Sequence, residues 1–472
     1  MFSGWIRCRS VCSAFYPACF AMEAYMMERT RNFTEGPILG PLIGFALPVL
    51  AALFLQAMYG AVDLLIVGQY AETADVSAVA TGSQLMHTVT TVIVGLAMGV
   101  TVLLGQKIGE GSGKQAGAVI GGGIWLFAVL SLAMTAVLVV LAPALCALLH
   151  APEDAFAPTV SYVRVCSAGT VFIVAFNVLG SVFRGIGDSK MPLITVAIAC
   201  AANILGDLLL VALLHMGAAG AALATVFAQA ISVLLSLRII ARRKLPFVFS
   251  RRDIRCNGPV IRHILGIGTP MALQDLLVSI SFLVILAIVN GLGLIQSAGV
   301  GVAEKLCGFI MLVPSAYMQA MSAFVAQNIG AGKPARARRA LLCGIATSLL
   351  CGMVIGYASF FHGDLLSALF ARDPQVIAAS ADYLRAYAID CLLTSFLFCF
   401  IGYFSGMGRT VFVMIQGLIG AFMVRIPVSF AVSRIAGVSL FAIGLATPAS
   451  TLVQIVLCVL FMGRCMKQEK RK

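Results

Sequence analysis

The sequence predicts an all-α polytopic membrane protein with twelve transmembrane helices in two six-helix bundles related by an internal parallel repeat. Three observations support this prediction: the composition, the length of the apolar runs and a near-constant offset between two halves of the chain. Of the 472 residues, 61% are hydrophobic and only 11% are charged. A soluble domain carries about 25% charged and about 45–50% apolar residues, so a soluble fold is excluded.

Long apolar runs recur between Ile38 and Met462, and many reach the length of about 18 residues or more that a membrane helix needs. Only helices and closed barrels satisfy their backbone hydrogen bonds in lipid, and these runs are too long for barrel strands of about 10 residues. We therefore predict helices over residues 40–67, 76–106, 116–148, 155–184, 190–214, 218–240, 260–290, 296–330, 337–370, 375–406, 410–433 and 438–462.

The basic residues predict the orientation of these helices. Of the 32 Lys and Arg residues, all but six lie in the terminal segments or in loops on the same side as both termini. The six exceptions are Arg372 and Arg434 on the opposite side and Arg164, Lys305, Arg385 and Arg425 within helices. Since basic loops stay in the cytoplasm, we expect both termini to be cytoplasmic. The net charge of +13 is spread over short loops facing anionic lipid, so we expect no nucleic-acid partner.

The fourteen Cys residues form no Cys-x-x-Cys pair, and most of them lie inside predicted helices. A free Cys in such a place behaves as a small apolar residue, so the sequence predicts neither a metal site nor a disulfide. The first 25 residues lack the small-residue cleavage site of a signal peptide. We interpret them as an unstructured arm, or as an over-long start upstream of Met26 or Met27.

An internal duplication relates the two halves of the chain. "GQKIGEG" around Gln106 is echoed by "AQNIGAG" around Gln327, a shift of 221, and the same shift relates "FRGIGDS" at Phe183 to "FSGMGRT" at Phe404. Each half holds six predicted helices, so the two repeats have parallel topology and enclose a central cleft. We expect a cytoplasmic arm over residues 1–35, lobes over 36–245 and 259–465, a cytoplasmic linker over 246–258 and a basic tail over 466–472.

The basic stretch after Gln327 contains Lys333, Arg336, Arg338 and Arg339. Because the charge bias of a short loop is a collective property, we interpret these four residues as topological anchors. No single one of them is then essential.

The order of several long motifs resembles the multidrug and toxic compound extrusion (MATE) transporters. The motifs are "TEGPILGPLIGFALPVL", "MYGAVDLLIVGQY", "VFRGIGDSKMPLI", "NILGDLLL", "GAAGAALATVFAQ" and "AFVAQNIGAGKPARARRAL", within residues 34 to about 463. Two departures are Leu208, where the family commonly has Pro, and Gln69, where Arg is frequent. The resemblance implies two lobes of six helices and export of organic, often cationic, compounds against an inward flow of protons or sodium ions.

Acidic residues inside membrane helices are costly and indicate function or pairing. Gln56, Tyr59 and Asp63 share one face of the first helix at i, i+3 and i+7, and Asn203 and Asp207 share a face of the fifth. The resemblance implies that Asp63 and Asp207 line a cavity in the N-terminal lobe. We predict a cation-coupling site there, for H⁺ or Na⁺. The alternative interpretation is that these acids only bond neighbouring helices.

Further polar residues are weaker candidates. Asn177, near the end of the fourth helix, is predicted to join the coupling site. Glu304 and Lys305 are adjacent and point about 100° apart on a helix, so they do not simply pair with each other. They are candidates for the substrate cavity, as are Gln56 and Tyr59, and the alternative for Glu304 and Lys305 is a salt bridge between helices. Asp275 and Asp390 lack acidic counterparts in the first half, and we assign them no role.

The predicted function is therefore a cation-coupled antiporter that exports organic compounds from a bacterial plasma membrane, acting as a monomer and without a cofactor. The alternative transporter is a lipid-linked oligosaccharide flippase, which would need more cationic side chains in the cleft than Lys305 and Arg425. A membrane enzyme is the alternative class. None of the His residues lies near Ser and Asp at a useful spacing, so we expect no enzyme.

Overall fold

The computed structural model describes residues 33–242, 249–435 and 437–469. Most of the predicted N-terminal arm, part of the predicted linker and the last three residues of the predicted tail lie outside these ranges.

The described residues form helices connected by short loops. In the N-terminal half these are α1 (Leu39–Tyr70), α2 (Thr73–Gly109), α3 (Gly113–Leu148), α4 (segments Glu153–Ala168 and Thr170–Gly185), α5 (Lys190–Asp207, continued by a π-helical segment Leu208–Leu213) and α6 (Gly217–Arg242). A 3₁₀ turn, Arg251–Asp253, precedes the C-terminal half.

The C-terminal half repeats this plan. Its helices are α7 (Gly258–Asn290), α8 (segments Leu294–Ile310 and Leu312–Gly330), α9 (Pro334–Phe361, with a short helix Gly363–Ala368), α10 (Pro374–Gly406), α11 (Thr410–Leu418, a π-helical segment Ile419–Arg425, and Ile426–Ser433) and α12 (segments Leu440–Gly444 and Ala446–Glu469).

The predicted twelve-helix plan is confirmed. Eleven helices are long and apolar enough to cross a membrane, and α4 gives the twelfth if its two segments, bent by 53° at Gly169, count as one span. Two predicted ends are wrong. The last helix was expected to end at residue 462, but α12 continues to Glu469. Residues 337–370 were expected to form one helix, but α9 stops at Phe361. The backbone at His362 leaves the helical region (φ −127°, ψ 27°), while the apolar composition that guided the prediction continues past it.

The two lobes meet mainly through α2 packing on α7 and through α8 packing on α1 and α2. Small residues allow these helices to come close. A Cβ atom at Gly99 would collide with the carbonyl oxygen of Ile264, and one at Gly268 would collide with the carbonyl oxygen of Leu96. The α2–α7 contact is therefore a backbone-to-backbone packing that larger residues would force apart.

The lobes are also joined by a pair of hydrogen bonds at the end of the molecule where α2 and α8 terminate, which we call the basic end. Gln106 Nε2 of α2 donates to the carbonyl oxygen of Gly406, at 3.0 Å. Gln327 Nε2 of α8 donates to the carbonyl oxygen of Gly185, at 3.0 Å. The two bonds are related by the shift of 221 residues, since 327 − 106 and 406 − 185 both equal 221. We call them the paired clasps.

A short segment before α1 also crosses between the lobes at the basic end. Phe33 is fully buried and packs on Phe45 of α1 and Phe324 of α8, with ring centroids 5.4 and 5.1 Å apart. The Arg336 guanidinium of α9 donates to the carbonyl oxygens of residues 33, 35, 36 and 37 at 2.7 to 3.2 Å. Residues 33–37, which we call the N-terminal strap, thus tie the start of one lobe to the other.

Candidate cation-coupling site

The two acids predicted from helix faces come together inside the N-terminal lobe. Asp63 on α1 is 5% exposed and Asp207 at the end of α5 is fully buried. Their carboxyl groups lie close enough to interact electrostatically, and both carboxyl oxygens of Asp207 lack a hydrogen-bond partner. Two carboxylates at close range repel each other, and a proton or a cation between them relieves the repulsion. The pair therefore has the chemistry of a site that holds a cation between two acids.

The local backbone at Asp207 is unusual. The α-helical part of α5 ends at Asp207, and the π-helical segment Leu208–Leu213 follows directly. π-Helical turns inside membrane helices shift the backbone hydrogen bonds by one residue and are frequent at functional sites. The sequence offered no signal for this feature, although Leu208 is the position at which the resemblance leads one to expect Pro.

Neutral polar side chains surround the two acids. Asn203 is fully buried and its Nδ2 lies 3.5 Å from Thr225 Oγ1 of α6. The Tyr59 hydroxyl lies close to Thr225 and Gln229 of α6 and to Asp63. Asn203, predicted for the coupling site, thus lies in the same buried polar region as the acids. Tyr59, predicted as a candidate for the substrate cavity, lies beside Asp63 and does not line the pocket that contains Gln56.

The structure adds residues that sequence reasoning missed. Thr225 and Gln229 lie four positions apart on α6, so they share one face. Tyr162 and Cys166 of α4 are buried next to each other, and both lie close enough to Asp63 to interact electrostatically. The spacing of four residues within each pair is visible in the sequence. That both pairs face Asp63 and Tyr59 is visible only from the packing of α4 and α6 onto α1.

Buried oxygen atoms without a hydrogen-bond donor concentrate in this site. They are Asp63 Oδ1, both carboxyl oxygens of Asp207, Asn203 Oδ1 and Gln229 Oε1. All five are acceptors, and a buried acceptor without a partner is costly. A proton or a hard monovalent cation is the group that such a set of oxygens would stabilise. The N-terminal cluster, meaning Tyr59, Asp63, Asn203, Asp207, Thr225 and Gln229, therefore fits a cation.

Two of the predicted residues lie in a separate pocket. Gln56 of α1 and Asn177 of α4 line it together with Arg184, Thr195 and Gln319. Asn177 Nδ2 donates to the carbonyl oxygen of Ile173. Asn177 was predicted to belong to the coupling site, but the structure groups it with Gln56. Gln319 belongs to α8, so this pocket, which we call the interlobe pocket, adjoins both lobes.

The remaining candidates lie in the C-terminal lobe. Glu304 on α8 is half-buried, and its Oε1 atom lacks a hydrogen-bond partner. It lies close enough to Tyr383 and Cys307 to interact electrostatically. Lys305 is exposed, and neither residue lines the interlobe pocket. The pairing of Glu304 and Lys305 with Gln56 as one substrate cavity is therefore not what the structure shows.

Two lobes of six membrane helices related by an internal repeat define a membrane transporter of the two-lobed kind. The family model MatE matches residues 48–209 and 270–431, so the chain belongs to the MATE family of transporters. The two matches are separated by 222 residues at both ends, since 270 − 48 and 431 − 209 both equal 222. The internal repeat is thereby confirmed.

Curated relatives support the same family. The chain is 28% identical over 407 residues to the probable multidrug resistance protein YpnP of Bacillus subtilis, covering 86% of this chain and 89% of that protein. It is 26% identical over 358 residues to a FAD transporter of Shewanella oneidensis, covering 74% and 78%. In structure it is similar to an outward-facing MATE transporter of the MOP superfamily, with a TM-score of 0.87, 18% identity and coverage of 94% and 100%. The last comparison shows the fold.

Proposed function

We propose that this integral membrane protein is a cation-coupled antiporter that exports organic compounds by alternating access, with the N-terminal cluster as its coupling site. The observation that carries the proposal is the set of five buried acceptor oxygens around Asp63 and Asp207. Their contacts join α1, α5 and α6, so a cation bound there would hold these helices together. Its release would loosen them and bias the lobe toward another arrangement.

The energy of an ion gradient is adequate for this task. Moving one charge across the membrane is worth about 2.3 kcal/mol per 100 mV, and a proton gradient adds about 1.4 kcal/mol per pH unit. We propose H⁺ or Na⁺ as the coupling ion, a bacterial plasma membrane as the location and the basic end as the cytoplasmic side.

Export of drugs is supported by the multidrug relatives, and the expectation of cationic substrates stays a proposal. One observation favours a second substrate class. The interlobe pocket contains the Arg184 guanidinium, which is hydrogen-bonded to Ser181 at 2.8 Å, and no acid among its lining residues. Such a pocket suits compounds with a phosphate or carboxylate, and one relative is named as a FAD transporter. We therefore include organic anions among the candidate substrates.

The flippase alternative is less well supported. It predicted cationic side chains in the cleft, with Lys305 and Arg425 as candidates. Arg425 is 6% exposed and lies inside the C-terminal lobe, where Nη1 donates to Ser281 Oγ at 3.2 Å. Lys305 is exposed and does not line the interlobe pocket. One guanidinium, that of Arg184, is left for a pyrophosphate.

The proposal is tested with Asp63→Asn and Asp207→Asn in membrane vesicles. Ethidium and FAD serve as a cationic and an anionic substrate, and proton and sodium gradients are imposed separately. We expect gradient-driven efflux to fall about tenfold or more in each variant, because an amide cannot carry the coupling charge. Glu110→Gln, which removes an exposed carboxylate paired with Lys107, is the matched control and should retain efflux. Normal gradient-driven efflux in both Asp variants would contradict the assignment of Asp63 and Asp207 as the coupling site.

A further inference from the structure

The C-terminal lobe contains a second buried polar cluster that the proposed coupling mechanism does not use. We call it the C-terminal cluster. Its members come from four helices and are all less than one-tenth exposed: Ser281 of α7, Asp390 of α10, Arg425 and Ser429 of α11, and Thr447 and Thr451 of α12. A buried charge such as Arg425 is costly unless it is compensated, so the lobe must have a use for it.

The internal repeat places this cluster at the position of the N-terminal cluster. Adding 222 to Tyr59, Asn203, Asp207, Thr225 and Gln229 gives Ser281, Arg425, Ser429, Thr447 and Thr451. Every one of the five positions is polar in both lobes. Two polar shells at equivalent positions of two homologous lobes indicate that each shell descends from one site and was then adapted separately.

The chemistry of the two shells differs at one decisive position. Asn203 in the first lobe becomes Arg425 in the second, so a neutral amide is replaced by a fixed positive charge. Asp63 and Asp207 become Ile285 and Ser429, so the paired acids are gone. The acid that the second shell does contain, Asp390, comes from α10, while its counterpart in α4 under the shift of 221 is Gly169.

Arg425 lies within this shell rather than at the surface. Its Nη1 donates to Ser281 Oγ, and its Cζ lies 4.4 Å from the centroid of the Phe282 ring. It is close enough to Asp390 to interact electrostatically, although the two groups form no ion pair within 4.0 Å in the described part of the chain. Asp390 also lies close to Thr451, whose hydroxyl donates to the carbonyl oxygen of Thr447 at 3.1 Å, and the Asp390 Oδ1 atom lacks a hydrogen-bond partner.

We propose that the Arg425 guanidinium is a built-in cation, which takes in the C-terminal lobe the place that an exchangeable cation takes in the N-terminal lobe. The proposal rests on the proposed cation site at Asp63 and Asp207. Its consequence is that the C-terminal lobe is charge-compensated throughout the cycle, so the exchangeable coupling ion binds in the N-terminal lobe alone. Arg425 thus determines the number of exchangeable ions that bind per transport cycle, because its fixed charge replaces a second one.

The proposal makes an unusual prediction for Arg425→Asn. The substitution restores the amide that the first lobe has at this position and leaves Asp390 among hydroxyl and amide oxygens. This is a set of hard ligands suited to Na⁺. Removing the built-in cation should therefore create a requirement for an external one, which Arg425→Lys should not do, since it keeps the charge.

The test is thermal unfolding of the purified full chain in detergent, titrated with NaCl, LiCl or KCl against choline chloride at constant ionic strength. Relative to the wild type, we expect Arg425→Asn to show an additional, saturable rise of the melting temperature in one of the alkali cations, of about 2 °C or more. Arg425→Lys should follow the wild type. The double variant Asp390→Asn/Arg425→Asn should lose the additional response, because the carboxylate that would bind the cation is gone.

Three outcomes overturn the proposal. The first is a folded Arg425→Asn protein without an additional cation response, and the second is the same response in the double variant. If Arg425→Asn does not fold, the double variant should fold better than the single one, since the uncompensated carboxylate has been removed. A double variant as unstable as the single one is the third contrary outcome. Because this measurement involves no transport, it is separate from the efflux test of Asp63 and Asp207.

Discussion

At the scale of residues, Arg336 has a structural role that the pattern of charges along the sequence does not reveal. The positive-inside rule interprets the basic residues after α8 as a collective anchor, and counting charges gives each of them the same weight. The structure distinguishes them, because Arg336 donates to four carbonyl oxygens of the N-terminal strap, while Arg339 is exposed. The acceptors are backbone atoms some 300 positions away, which no local pattern could indicate.

Arg336→Gln should therefore destabilise the protein where Arg339→Gln should not. Hydrogen bonds from a charged donor contribute about 1.5–3 kcal/mol each, but those to residues 35–37 are exposed, so we expect a net loss of about 2 kcal/mol. Thermal unfolding, combined with limited proteolysis of the strap, measures the effect. Arg339→Gln removes the same charge without these bonds. Equal melting temperatures and equal proteolysis of the two variants would show that Arg336 acts only as a topological anchor.

At the scale of elements, most of the fold could be predicted and its irregularities could not. Helix positions followed from the apolar runs because the backbone groups in lipid must be paired within helices, and observed ends agree with predicted ones within a few residues apart from the C-terminal ends of α9 and α12. The break in α4 at Gly169 and the π-helical segments of α5 and α11 depend on local shifts of backbone hydrogen bonds. Composition does not encode them, yet the π-helical segment of α5 begins directly after Asp207 and that of α11 ends at Arg425.

The candidate site was predicted with the same mixture of success and failure. Helical periodicity placed Tyr59 with Asp63 and Asn203 with Asp207, because residues of one helix face point the same way. It could not show that Asn177 turns toward Gln56, nor that Thr225 and Gln229 face Tyr59. Those relations depend on how three helices are rotated against one another.

The crossing of α2 and α8 at the basic end is an element-scale feature that a single methyl group should disturb. A Cβ atom at Gly330 would collide with the carbonyl oxygen of Gln106, and one at Gly109 with that of Gln327. Gly330→Ala must therefore separate the two helices, and overpacking of this kind costs about 1–3 kcal/mol. We expect a lower melting temperature and reduced efflux.

Gly301→Ala, on the first segment of α8, is the matched control for that experiment. A Cβ atom there meets no atom within 4 Å, and Ala is favoured over Gly in a helix by up to about 1 kcal/mol. We expect the control to be neutral or slightly more stable than the wild type. A Gly330→Ala protein as stable as this control would show that the crossing is looser than the structure indicates.

At the scale of the whole molecule, the duplication explains why the paired clasps are equivalent contacts. In each of them a Gln of one lobe donates to a backbone carbonyl oxygen of the other lobe, and the two bonds are related by the shift of 221. A transporter that rocks its lobes about the central cleft must break both clasps to open the basic end. The repeated motifs "GQKIGEG" and "AQNIGAG" thus carry the two Gln residues that close the basic end.

The paired clasps should therefore act in parallel on one equilibrium between closed and open forms of the basic end. A neutral hydrogen bond contributes about 1 kcal/mol, which corresponds to about a fivefold shift in that equilibrium. We expect Gln106→Ala and Gln327→Ala each to raise the open population about fivefold, and the double variant to raise it about 30-fold, if the two free energies add.

The readout is the rate at which an impermeant maleimide, added from the basic side, labels a cysteine placed at Gln319, which lines the interlobe pocket. Gln416→Ala is the control, because Gln416 donates to Val413 within its own lobe and its loss should leave labelling unchanged. A double variant that labels no faster than the single ones would mean that the two bonds do not hold the same gate.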